Sequence, residues 1–222
     1  MMDWRWDFTF DVVLPRLWEA AGITVYATVV SFAFALVGGL ILMLLKMSAF
    51  KPISFVASEV IEFIRGTPLL VQIFFLFFVL PQVGITLPPL TTGIMAIAIY
   101  NSALTAEVYR AGLQAVPRGQ WEAAVALNLS PYRTFRKIII PQSLPPIVPA
   151  LGNYLIAIFK ETPLLSFVAV GEIMHASKLI GSEYYRFNEA VTIAGIFFLV
   201  MSLVSAALVR AAENYVKRSI LH

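Results

Sequence analysis

The chain has 222 residues, of which 59% are hydrophobic and 13% charged, and its mean hydropathy is +0.83. That is about half the charge of an ordinary soluble domain, too little to cover a globule in water, so the excess apolar surface needs lipid. The net charge of +3 gives no case for nucleic-acid binding, and a chain with no cysteine has no disulfide, no thiol nucleophile and no cysteine-held metal.

Residues 1–22 do not read as a cleaved signal peptide. Asp3, Asp7 and Asp11 precede the apolar run, where a signal peptide would open on basic residues. Trp4, Trp6 and Trp18 favour the headgroup zone, so an extracytoplasmic interfacial segment is expected over 1–22, with a transmembrane domain over 23–222. A helix crosses the hydrocarbon core with roughly 20 apolar residues. Five stretches qualify: 23–45, 56–80, 90–109, 143–160 and 189–209. The second opens on Glu59, Glu62 and Arg65, breaks at Gly66-Thr67-Pro68 and stops at Pro81. The fourth is weakened by Pro145, Pro146, Pro149 and Gly152. Residues 163–174 are too short to cross and suit a re-entrant or surface helix at the outer face.

Orientation follows from the basic residues. With the N-terminus outside, the inner segments hold Lys46, Lys51, Arg110, Arg118, Arg133, Arg136, Lys137, Arg210, Lys217 and Arg218. The outer segments keep only Arg5, Arg16, Lys160, Lys178 and Arg186, among an excess of acids. A six-span alternative would leave Lys217 and Arg218 outside and is disfavoured. The expected fold class is an all-α integral membrane protein with five spans, N-terminus out and C-terminus in.

Between the third and fourth spans lies a polar stretch that must emerge into water. Pro117 and Gly119 break the chain, residues 121–127 form a helix with Glu122 in its first turn, and Ser130-Pro131 supplies an N-cap and a first helical residue. The second helix is expected to run to Ile140 and to stop at Pro141. Ala123 and Ala124 are small enough for a partner surface to approach the helix backbone, and Glu122 offers it a carboxylate. Arg133, Arg136 and Lys137 can pair with partner acids or anionic headgroups, or merely set topology.

This stretch resembles the EAA motif of ATP-binding-cassette importer permeases: E-A-A, three residues, Gly, nine residues, I-x-L-P. Here Glu122, Ala123 and Ala124 are followed at that spacing by Asn128, and then by Ile138, Ile139, Ile140 and Pro141. Asn128 stands where the family has glycine and Ile140 where it has leucine. Asparagine is the residue after glycine best able to hold a left-handed turn. F-I-R-G-T-P-L-L-V-Q at 63–72, A-E-V-Y-R-A-G-L at 106–113, V-P-R-G-Q-W-E-A-A at 116–124, and L-G-N-Y at 151–154 with K-E-T-P-L at 160–164 are similar to the polar amino-acid uptake branch. W-R-W-D-F near the start and A-L-N-L at 126–129 resemble permeases for the cyclic osmolytes ectoine and hydroxyectoine. The resemblance implies the type I importer permease fold in a bacterial cytoplasmic (inner) membrane and import of polar amino acids or such solutes. It implies a homo- or heterodimer of permeases, an ATPase dimer that carries the ATP and Mg, and an extracytoplasmic binding protein. Residues 119–140 would then be the coupling segment, with Glu122, Ala123, Ala124, Asn128, Ile138 and Pro141 at the ATPase.

Polar groups inside a bundle face a cavity or one another. Gln72, Asn101, Thr105 and Glu161 are the candidate substrate path, because a zwitterion needs donors for its carboxylate and acceptors for its ammonium. The alternative for them is hydrogen-bonded glue between helices. Glu62 and Arg65 are spaced to pair on one helix, and Glu107 is placed to meet Arg65, as a gate lock or as packing. The broken second span and the proline-rich fourth are the expected walls of the path. His175 and His222 have no metal-like spacing, no P-loop is present, and no Ser/His/Asp set suits catalysis, so the chain reads as a non-catalytic subunit. The rivals are an ATP-independent channel or carrier and an intramembrane enzyme. The second would need paired acids or a Ser-Lys set at one depth.

Overall fold

A computed structural model describes residues 4–220, with side chains to residue 216. Asp3 and His222 lie outside the described residues, as do the side chains of Lys217 and Arg218. Every regular element among the described residues is helical. In chain order they are α1 (Trp6–Lys46), α2 (Lys51–Gly66), α3 (Leu69–Val83), α4 (Pro89–Gln114), α5 (Arg118–Ala126), α6 (Pro131–Val168), α7 (Ile173–Tyr184) and α8 (Phe187–Ile220).

Three prolines that should interrupt helices do not. Pro15, Pro81 and Pro141 each follow a π-helical turn, at Thr9–Val13, Phe75–Val79 and Phe135–Ile139. A proline has no N–H for the carbonyl four residues back, and its ring collides with that carbonyl. In each case that carbonyl belongs to the middle residue of the π turn, Asp11, Phe77 or Lys137. The wider turn, bonded from i to i+5, takes the carbonyl out of the ring's way. The expected stops at Pro81 and Pro141 are therefore corrected. α3 runs on through a 3-10 turn to Val83, and α6 carries the second elbow helix straight into the bundle.

α1 and α8 are each long and apolar enough to cross a bilayer. α2 and α3 form a broken pair bent by 102° at Thr67-Pro68, where the break was expected, and α6 and α7 a pair bent by 46°. The apolar stretch after residue 162 thus begins as a 3-10 turn (Thr162–Val168) and leads into a regular helix continuing the fourth hydrophobic segment. α4 has 26 residues, and its polar side chains Asn101, Ser102 and Thr105 are buried in the bundle rather than turned to lipid.

α1 and α4 pack closely because small residues meet. A Cβ added at Gly39 would strike Thr105 Oγ1 and lie 3.0 Å from backbone atoms of Ser102 and Ala106. Thr105 Oγ1 donates to the Ala35 carbonyl at 2.9 Å across this seam. One apolar core joins α1, α3, α4 and α6 around Ile73, Ile97, Ile158 and Leu165. A second sets Phe8, Val13 and Leu17 of α1 against Ile173 and Ile180 of α7 and Ala190 and Ala194 of α8. No break in α1 marks residue 22. Trp6 and Trp18 are exposed beside this second core.

Candidate coupling elbow and substrate path

The elbow is built by turn chemistry that the local sequence supplies. α5 ends in a Schellman turn: the Leu129 N–H donates to Ala124 O at 3.0 Å and the Asn128 N–H to Val125 O at 2.9 Å. The residue between these bonds must be left-handed, and Asn128 has φ 50. Ser130 then caps α6, its Oγ accepting from the Arg133 N–H at 3.5 Å, with Pro131 first in the helix. Trp121 and Phe135 meet edge to face at 5.2 Å, and Gln142 donates to Gln120 at 3.1 Å, so the two limbs are held together.

Glu122 and Ala123 are exposed, whereas Ala124 is turned inward at 1% exposure. The two alanines therefore have different tasks: Ala123 leaves the outer face low and Ala124 lets the limbs close. Val125 is 78% and Leu127 71% exposed, and Tyr132 is exposed beside them. Ile138 and Pro141 are half-buried, and the inward anchor of this limb is Ile139, fully buried, which the motif spacing did not single out. Arg133, Arg136 and Lys137 are exposed. Arg136 stacks over the Tyr132 ring and donates to its hydroxyl at 2.7 Å.

Inside the bundle, Asn101 lies at the middle of α4 and is fully buried. Its Nδ2 donates to Glu161 Oε2 at 2.8 Å and to the Ile97 carbonyl at 3.0 Å, while its Oδ1 is buried without a partner. Glu161 ends the α-helical part of α6 and is only partly buried. The neighbouring Tyr100 stands within electrostatic range of Glu161. Sequence reasoning missed Tyr100, because a tyrosine in a membrane helix reads as an interface residue.

The other two path candidates, Thr105 and Gln72, bond to different neighbours. Thr105 is fully buried against α1, bonded to the carbonyls of Ala35, Asn101 and Ser102. It shares helical spacing with Asn101, yet the two side chains serve different neighbours. Gln72 stitches the α2–α3 break: its Nε2 donates to Ile64 O, Thr67 O and Thr67 Oγ1 at 2.9, 3.2 and 2.8 Å. Its amide nitrogen is thereby committed to the bend. Glu62 pairs with Arg65 at 3.2 Å, as the spacing predicted. Glu107 does not meet Arg65; it takes Lys46 at 2.7 Å and Arg110 at 2.6 Å, tying the ends of α1 and α4. Among the described residues no cluster of three or more His, Asp or Glu side chains is arranged to hold a metal.

Residues 35–218 match the family of binding-protein-dependent transport system inner membrane components. The probable amino-acid ABC transporter permease protein y4tG of Sinorhizobium fredii is 41% identical, over 94% of this chain and 90% of that protein. The arginine transport system permease ArtQ of Bacillus subtilis is 32% identical over 95% and 97% of the two chains. A solved structure of an amino acid ABC transporter with histidines superposes with a TM-score of 0.91 at 36% identity, covering 96% of this chain and 100% of that one. The MetNI methionine transporter, at 21% identity and a TM-score of 0.72, shares the fold.

Proposed function

The chain belongs to the family of binding-protein-dependent transport system inner membrane components, and from that premise we propose how its elbow and its buried polar pair divide the work of import. It has the type I importer permease fold and is the permease subunit of an amino-acid ABC importer. The proposed topology has five spans: α1, α2 with α3, α4, α6 with α7, and α8. The N-terminus is outside and the C-terminus inside, and residues 1–22 lie at the outer surface. Side-chain pairs support this. Lys46 and Arg110 meet at Glu107, which places the ends of α1 and α4 on one side. Arg16 meets Glu183, which places the start of α1 beside the end of α7.

The observation that carries the coupling role is the exposed apolar pair Val125 and Leu127 on a limb flanked by Glu122 and Asn128. Exposed apolar side chains outside the lipid zone need a partner surface. The limb offers a soluble ATPase a low face at Ala123, a carboxylate at Glu122 and two aliphatic knobs. Closure of the paired ATPases draws the elbows of a homo- or heterodimer together, and α6 carries the displacement without interruption through Pro141 to Glu161. The proposed substrate site is the Asn101–Glu161 pair. Its acceptors suit the ammonium of an α-amino acid, or the amidinium of a cyclic solute such as ectoine, delivered by the binding protein. Glu122→Lys should insert normally and lose ATPase association and import. If that variant retains the ATPase and imports at the wild-type rate in proteoliposomes, the coupling role is wrong.

A further inference from the structure

Lys178 projects from α7 beside the 3-10 turn that follows Glu161. Its ammonium donates to Ser166 Oγ at 2.9 Å and lies 4.5 Å from the centroid of the Phe167 ring. Both partners are neutral, and among the described residues no carboxylate pairs with it. Glu172 is within its electrostatic reach, but that carboxylate is fully buried and accepts from the N–H groups of Met174 and His175. Lys178 is thus an exposed cation whose head is positioned by a hydroxyl and a ring while its charge is left open to an anion.

Its position relative to the buried pair gives that charge a use. Ser166 follows Glu161 by five residues in a 3-10 turn that rises about 2 Å per residue, so the Ser166 backbone to which Lys178 is tied lies about 10 Å further along this segment than Glu161, on the side away from the elbow. The ring under Lys178 belongs to an aromatic cluster. Phe167 packs edge-on to Phe74, two residues after Gln72, and Phe74 to Phe78. A carboxylate approaching Glu161 directly would be repelled. A cation placed ahead of Glu161 takes that end first and lets the positive end of the solute lead inward.

We propose that Lys178 is a further substrate contact, whose ammonium takes the carboxylate of the incoming amino acid at the outer mouth before its cationic end reaches Asn101 and Glu161. This rests on the reading of that pair as the substrate site. The contacts are made in succession, the carboxylate at Lys178 first and the cationic end at Asn101 and Glu161 after it.

The chain has no cysteine, so Lys178→Cys introduces its one thiol and the charge there can be rewritten chemically. The variant is assembled with its ATPase and binding protein, neither carrying a reactive thiol, in proteoliposomes. Import is measured for whichever of labelled glutamine, arginine and ectoine the wild type imports. Losing one hydrogen bond to a charged group should slow import about tenfold. Aminoethyl methanethiosulfonate, which restores an ammonium, should recover most of the rate, and the sulfonatoethyl reagent should lower it further. Binding-protein affinity for the complex should be the same in every form. Equal effects of the two reagents, import unchanged in Lys178→Met, or lost binding-protein affinity would each overturn the proposal. If Glu161→Gln stops import while Lys178→Met leaves it intact, the substrate site stands and Lys178 alone falls. If Glu161→Gln also imports normally, the substrate site itself is wrong.

Discussion

Asn128 is the position where the elbow departs from the motif, and its replacement tests how much the turn matters. The residue sits at φ 50 between the two Schellman bonds, from Asn128 to Val125 and from Leu129 to Ala124. Ordinary L-residues pay roughly 1–2 kcal/mol in that region, a β-branched one at the upper end, whereas glycine pays almost nothing. Asn128→Val should therefore open the turn at a cost of about 2 kcal/mol and loosen the contact of Trp121 with Phe135. Where ATPase docking needs the closed elbow, that penalty becomes a loss of affinity of about thirtyfold. Asn128→Gly should stay within about twofold of wild type. The assay is a titration of the ATPase onto permease in nanodiscs, with far-ultraviolet circular dichroism confirming unchanged helix content. Wild-type affinity in Asn128→Val, or equal weakening in Asn128→Gly, would refute the argument that backbone handedness at this residue shapes the docking surface.

Other expectations follow from packing and charge. Glu107→Gln leaves Lys46 and Arg110 facing each other, so thermal stability in detergent should fall. A double-mutant cycle with Lys46→Met should give a coupling of about 1 kcal/mol, and strictly additive effects would remove the pair from the account. Gly39→Val drives a side chain into Thr105 and the α4 backbone and breaks the Thr105–Ala35 bond. It should destabilise the protein by about 1–3 kcal/mol, measured by heating before size-exclusion chromatography, whereas Gly22→Ala, which meets open space, should not.

What the sequence made legible was mostly local. Ser130-Pro131 and Asn128 specify their own turn, so the elbow could be read from a dozen residues. The break at Thr67-Pro68 was legible for the same reason. The stops expected at Pro81 and Pro141 failed because a π turn upstream of a proline leaves no mark in residue identity; it depends on how the preceding helix is held. Glu107 had several cations within sequence reach, and only the packing of α1 on α4 selects Lys46, 61 positions away. Asn101 and Thr105 share one face by spacing, but a buried helix has a neighbour on every side, so a single stripe can serve α6 with one residue and α1 with the next. The meeting of Asn101 with Glu161 joins two helices across 60 positions, and no periodicity within either of them announces it.

The claim beneath all of this is that the limb carrying Val125 faces the cytoplasm and is covered there by the ATPase. In a chain without native cysteine, Val125→Cys can be labelled with a membrane-impermeant maleimide in intact cells and in inside-out vesicles. The account predicts no labelling in intact cells, strong labelling in inside-out vesicles stripped of ATPase, and protection when the ATPase is added back. Labelling from outside intact cells, or no protection by the ATPase, would contradict it.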